Sequence, residues 1–203
     1  MNKYSMFYNY HIIGDILMIV FNHKEKPTHH TKNGDVVGIY HNEELIGINI
    51  FDFSNICKIK SEGLIILPPK ELIDAINSKL LNAGFEKLEY INESGFKIGK
   101  VLTCEEHPDS DHLHVLTVDI GNEILDIVCG APNVEEGQKV VVATPYTTMF
   151  DGSEIIPSEL RGIKSNGMLC SPRELHLEDA PAKRGILVLE DDAEVGSDFF
   201  LRG

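Results

Sequence analysis

No stretch of the sequence approaches the roughly 20 apolar residues that a helix needs to cross a bilayer. The longest apolar run, Ile16–Phe21, is the length of one strand. The opening residues MNKYSMFYNY lack the apolar core of a secretory signal. These absences predict a cytoplasmic chain. Cysteine is sparse: Cys57, Cys104, Cys129 and Cys170 lie far apart, and none forms a C-x-x-C pair. Four scattered cysteines in a cytosolic protein are expected to be reduced, mostly buried thiols. Without paired ligands no structural zinc is expected.

Catalytic signatures are missing too. There is no nucleophile elbow, no phosphate-binding Gly-Lys-Ser/Thr loop and no H-E-x-x-H. Gly34-Asp35-Val36-Val37-Gly38 is not followed by a helix pattern, so it is no dinucleotide site. The carboxylate pairs Glu43-Glu44, Glu135-Glu136 and Asp191-Asp192 are neighbours in sequence and read as solvated turns. We expect no enzyme and no cofactor.

Positive charge is scarce. The 203 residues carry a formal net charge of −14. Residues 1–89 hold 9 basic and 11 acidic side chains, and residues 90–203 hold 9 basic and 21 acidic. Affinity for nucleic acid comes largely from Lys and Arg neutralising phosphates. Any nucleic-acid site must therefore be a small cationic patch on a repelling surface, with binding that weakens quickly in salt. The composition, 42% apolar and 25% charged, is otherwise that of a globular protein.

The pattern along the chain divides it in two. Residues 1–88 are expected to form a small α+β domain. Ile16–Phe21, Val36–Tyr40, Leu45–Phe53 and Leu64–Leu67 read as strands, the middle two joined by a hairpin at His41-Asn42-Glu43-Glu44. Pro68-Pro69 precedes a helix over Lys70–Ala83, with Leu72, Ile73, Ile76, Leu80 and Ala83 on one face and Gly84 as the stop. The polar stretch Leu88–Gly95 marks a junction. Residues 89–203 read as short strands and turns. Phe96–Cys104 has its alternation broken at Gly99, as at a bulge. Leu113–Ile120 and Ile124–Cys129 flank a Gly121-Asn122 turn. Lys139–Ala143 and Ile186–Leu189 follow, and Asn133-x-x-Glu136 resembles a capped helical turn closed by Gly137. About five short strands in some 100 residues suit a small closed barrel. The fold class expected is mainly β, with a five-stranded barrel after the α+β domain.

Three stretches of the second half carry a resemblance. Lys97-Ile98-Gly99-Lys100-Val101 runs into His107-Pro108-Asp109-Ser110-Asp111-His112-Leu113. Cys129-Gly130-Ala131-Pro132-Asn133-Val134 follows. The third is Leu160-Arg161-Gly162-Ile163-Lys164-Ser165-Asn166-Gly167-Met168-Leu169-Cys170-Ser171, continuing to Arg173-Glu174-Leu175. In this order and spacing they resemble the tRNA-binding OB domain family, which includes a module of the bacterial phenylalanyl-tRNA synthetase β chain. The whole-chain layout is similar to the YtpR family, in which a short N-terminal domain precedes such a barrel. The resemblance implies an OB fold that recognises tRNA shape and carries no catalytic residues. The family's first motif usually reads His-Pro-Asn-Ala-Asp-Lys-Leu. Here Asp109, Ser110 and His112 stand in for Asn, Ala and Lys, which removes one positive charge and adds one negative.

The third stretch also has a reading of its own. Ser171-Pro172-Arg173-Glu174 fits a capping box that would start a helix over Pro172–Leu177, with free N–H groups facing a phosphate. Arg161, Lys164 and Arg173 are candidate phosphate contacts, with Lys100 added from the first stretch. Ser165 and Asn166 are candidates for hydrogen bonds to a sugar or base edge, and Met168 for packing on a base or ribose face. The plainer readings are a cap for Ser171, core for Met168, a carboxylate partner such as Glu159 for Arg161, a helix cap for Asn133, and bare solvent for Lys164 and Arg173. Two histidine clusters are set aside as metal sites: His107, Asp109, Asp111, His112 and His114 fit a turn, and His23, His29 and His30 with Lys24, Lys26 and Lys32 fit a solvated loop. The expected partner is tRNA. A homodimer, and a protein partner in the translation machinery, are further expectations. The alternative function is a protein-interaction module on the same barrel, which the acidic second half would suit.

Overall fold

The computed structural model describes residues 4–201. The chain forms two compact units, residues 1–92 and 93–203.

Unit 1 is built on a six-stranded antiparallel sheet. Its strands are β1 (Ser5–Asn9), β2 (Ile16–Val20), β3 (His29–Asn33), β4 (Val36–His41), β5 (Glu44–Phe51) and β6 (Glu62–Leu64), in the order β3-β4-β5-β2-β1-β6. A one-turn helix, α1 (Tyr10–Ile13), links the first two strands. It starts where the Asn9 side chain accepts the Ile12 N–H at 3.1 Å. Helix α2 (Lys70–Asn82) begins after Pro69, whose extended backbone sets the entry. It buries Leu72, Ile73, Ile76 and Leu80 with Met6, Tyr8, Leu17, Ile19, Ile48, Ile50 and Phe53 of the sheet region. Each such fully buried side chain contributes about 1.5–3 kcal/mol of transfer free energy. The buried Asn77 amide on α2 pairs both ways with the Leu88 backbone, at 3.0 and 2.7 Å.

Two expectations in this unit are corrected. The strand expected over Leu64–Leu67 is Glu62–Leu64. Only one further bond, Ile65 N–H to Met6 O at 2.8 Å, extends the pairing, and Leu67 turns away with φ 51°. His29 and His30 stand on strand β3 rather than in a loop. This is an edge strand whose residues are all exposed, so it has no apolar alternation to betray it.

Unit 2 contains the strand path β13-β10-β7-β8-β9, where β7 is Phe96–Glu106, β8 His114–Asp119, β9 Ile124–Cys129, β10 Lys139–Ala143 and β13 Met168–Leu169. A hairpin of β11 (Ser158–Leu160) and β12 (Ile163–Ser165) precedes β13, and β14 (Val188–Leu189) adds to β10. The path closes between β9 and the β12–β13 turn. There Asn166 N–H donates to Asp126 O at 2.7 Å and Val128 N–H donates to the Ser165 hydroxyl at 3.1 Å. The interior holds Val101, Leu116, Val118, Leu125, Ile127, Val140, Val142 and Leu169. Strand β10 is a continuous Val-Val-Val-Ala run because four consecutive residues of it are buried.

Three readings in this unit differ. The bulge in β7 falls between Val101 and Thr103, not at Gly99. Gly99 is small for a different reason: a Cβ there would stand 2.7 Å from Val118 and 2.8 Å from Val142. Asn133 caps no helix. Its amide pairs with the Ile186 backbone, Nδ2 donating to O at 3.0 Å and Oδ1 accepting N–H at 2.9 Å. That occupies Ile186, so the strand expected over Ile186–Leu189 is confined to Val188–Leu189.

Candidate nucleic-acid interface

The three sequence stretches converge through specific bonds. In the first, the buried His107 Nδ1 accepts the Asp109 N–H at 3.1 Å. That leaves Nε2 to carry the proton and donate to Leu160 O at 3.3 Å. The loop His107–Leu113 is thereby fastened to the β11–β12 hairpin of the third stretch. At the hairpin turn, Arg161 (φ 48°) and Gly162 (φ 84°) both take left-handed conformations, as a two-residue turn requires. The Arg161 guanidinium reaches across to donate to the Asp109 carbonyl. Its partner is thus a carbonyl and not Glu159, and the side chain remains exposed.

Ser165 and Asn166 occupy the closing seam. The Ser165 hydroxyl is buried, accepts the Val128 N–H and donates to Gly167 O at 3.4 Å. Both residues shape the barrel rim. Lys164, opposite Glu159 on the hairpin, and Lys100 on β7 are exposed.

Ser171 and Glu174 form the expected capping box: Ser171 N–H donates to Glu174 Oε2 at 2.6 Å and Glu174 N–H to Ser171 Oγ at 3.3 Å. The helix expected over Pro172–Leu177 is a single turn. His176 takes φ 52°, and the bonds Leu177 N–H to Pro172 O and His176 N–H to Arg173 O close it at once, as in a Schellman motif. At the start of this turn the Glu174 carboxylate takes the Ser171 N–H and sets a negative charge beside any phosphate that approaches.

What the site offers instead is a groove of about 520 Å³ lined by Gly130, Ala131 and Pro132 of the second stretch, Met168, Ser171, Pro172 and Arg173 of the third, and Lys183 and Arg184 from the loop before β14. Arg173, Lys183 and Arg184 are exposed. Among the described residues none of the three forms an ion pair within 4 Å. Glu174 is the one acid lining the groove. The groove thus gathers Arg173, Met168 and Ser171 of the expected residues and leaves Lys100, Arg161, Lys164, Ser165 and Asn166 outside its lining. Lys183 and Arg184 were missed. The available signal was the adjacent Lys-Arg pair before Gly185, in a half otherwise short of bases. Asn133 holds this loop through Ile186, and Gly185 packs on the Asn133 amide so closely that a Cβ would lie 2.7 Å from Oδ1.

All four cysteines are free thiols. Burial, with Glu174 nearby, pushes the Cys170 thiol up to about 12, which disfavours the nucleophilic thiolate. Among the described residues no three His, Cys, Asp or Glu side chains converge as a metal would require. No helix among them is long and apolar enough to cross a membrane.

Comparison with known proteins places these features. Residues 96–198 match the family described as "Putative tRNA binding domain", and residues 23–90 match a domain of unknown function, DUF4479. The "Putative tRNA-binding protein YtpR" of Bacillus subtilis is 44% identical over 199 residues, covering 96% of this chain and 98% of that protein. The phenylalanine–tRNA ligase β subunit of Porphyromonas gingivalis is 50% identical over 137 residues, covering 64% of this chain and 16% of the subunit. The corresponding subunit of Lactiplantibacillus plantarum is 50% identical over 108 residues, covering 51% of this chain and 13% of the subunit.

Proposed function

The chain belongs to the tRNA-binding domain family, and on that premise we propose that its barrel binds tRNA, without catalysis, through the groove of Arg173, Lys183 and Arg184. The observation that carries this reading is the gathering, in one concavity of a chain with net charge −14, of three cations that form no ion pair among the described residues. Phosphates of the RNA lie against these three side chains, while Met168 packs on a ribose or base and Ser171 lines the wall. Lys100 and Lys164 contribute to the local field from outside. Arg161, Ser165 and Asn166 act as positioning residues that fix the rim. Contacts to backbone and 2′-hydroxyl groups read RNA shape rather than sequence.

Filter binding with bulk tRNA tests the proposal. Three phosphate contacts imply a slope of log affinity against log salt of about −2.1 to −2.7. Between 50 and 200 mM salt, affinity should then fall by roughly 20- to 40-fold. The triple variant Arg173→Ala/Lys183→Ala/Arg184→Ala should bind weakly at low salt with a slope near zero. Wild-type slope and affinity in that variant would place the site elsewhere on the barrel. Absence of binding even at low salt would favour a protein partner.

A further inference from the structure

A second cavity opens beside the groove, and we propose that it receives a single unpaired nucleobase from the bound RNA. The proposal rests on the reading of the barrel as a tRNA binder and specifies what part of the RNA it holds. The cavity measures about 310 Å³, at the small end of the range for ligand pockets. Met149, Phe150, Ile155 and Met168 form apolar walls, and Asp151, Ser153, Arg173 and Glu174 form the polar part of the lining.

Met168, Arg173 and Glu174 line both concavities. A nucleotide whose phosphate rests on Arg173 therefore has its base within reach of the apolar walls. The aromatic wall is braced from several sides. Phe150 stacks on His176 with centroids 4.8 Å apart and planes at 6°. It also meets Phe96 at 6.3 Å and Phe200 at 5.9 Å. The Met149–Ser153 loop is closed on itself by Met149 N–H to Ser153 O at 2.8 Å and Gly152 N–H to Met149 O at 2.9 Å. A braced ring beside an exposed cation is the combination that holds a base by stacking and its backbone by charge.

The polar lining adds selectivity. One oxygen of Asp151 is occupied by the Ser153 N–H and hydroxyl, at 2.9 and 2.6 Å. Those bonds hold the carboxyl below its usual range and keep it an acceptor. Its other oxygen suits the exocyclic amino group of adenine, cytosine or guanine. A paired A-form helix keeps its bases stacked inside the duplex and leaves such a cavity unfilled. The ligand is thus RNA with an unstacked nucleotide adjoining its phosphate contacts.

The test is competition against labelled bulk tRNA by three RNA hairpins of one sequence: fully paired, with a single bulged adenosine, and with an abasic sugar at the bulge. The adenosine bulge should compete about tenfold better than the other two, the scale of one base stacked on a ring. Ile155→Trp, which fills the cavity, should remove that advantage and leave competition by the paired hairpin unchanged. Equal competition by adenosine and abasic bulges, with tRNA binding intact, would overturn the cavity assignment alone, and this comparison needs no variant. Failure of the protein to bind tRNA or any hairpin would overturn the groove as well.

Discussion

The amide of Asn133 holds together a loop 53 residues away in sequence, and its removal should be felt twice. In Asn133→Ala the Ile186 N–H and C=O lose their partners at 2.9 and 3.0 Å. Ile186 is only 7% exposed, so water replaces them poorly. A buried group left unsatisfied costs about 1–3 kcal/mol. Two groups, partly rescued by relaxation, set the expected loss at about 2–4 kcal/mol. Urea denaturation followed by far-UV circular dichroism reads this as a lower midpoint for the barrel with unchanged slope. Asn133→Asp retains the acceptor for Ile186 N–H but turns an oxygen toward Ile186 O, and should destabilise as well. The second effect is on binding. Lys183 and Arg184 directly precede the pinned Gly185-Ile186, so loosening the clamp lowers the fraction of molecules with both cations in the groove. If that fraction falls to between a third and a tenth, tRNA affinity falls about three- to tenfold in fully folded protein. An Asn133→Ala unfolding free energy within about 0.5 kcal/mol of wild type (about the scatter of neutral surface changes) would show that the Ile186 backbone does not depend on Asn133, and the reasoning would fail.

Two further outcomes follow from the packing. Gly99→Ala places a methyl group within 3 Å of Val118 and Val142 inside the barrel, and overpacking of this kind should cost about 1–3 kcal/mol; an unchanged thermal midpoint would contradict it. In unit 1, hydrogen bonds from the Ser54 hydroxyl and N–H, with another from the Tyr8 hydroxyl, hold the Asp15 carboxyl below its ordinary value. A lowered folded-state value means the carboxylate stabilises the fold fully above about pH 4, and that this contribution disappears as the pH falls through the lowered value. Asp15→Asn should therefore be less stable than wild type at neutral pH and lose less stability on acidification. Parallel acid limbs in the two proteins would refute that assignment.

Local chemistry was legible in the sequence, and chemistry acting across long separations was not. The capping box of Ser171 and Glu174 spans three residues and was read with its partners correct. The strand Ile124–Cys129 declared itself as the return from the Gly121-Asn122 turn, and Lys139–Ala143 by its continuous apolar run. The polar edge strand β3 could not, since both its faces meet solvent and nothing selects apolar residues there. Asn133 has the composition of a helix cap, and only folding shows that its amide serves Ile186 instead. Arg161 was read by its charge alone, and the bond of its guanidinium to the Asp109 carbonyl 52 residues earlier is one that no short window contains. Lys183 and Arg184 were overlooked because only the folded chain brings them into one groove with Arg173 and Met168, which no short window contains.

The Asp198 carboxylate lies buried near the end of unit 2 and accepts the Ser94 N–H and hydroxyl, each at 2.7 Å, while Phe200 N–H donates to it at 3.0 Å. Ile98 N–H to Ser197 O at 2.9 Å and Gly196 N–H to Ile98 O at 2.8 Å lie alongside. Entry and exit of the chain are in this way knotted to one another at a single seam. A module whose two ends emerge side by side can be spliced into a host polypeptide without prising it open. Such an arrangement suits a barrel whose sequence recurs both across a relative of this chain's own length and over 16% of a much longer synthetase subunit.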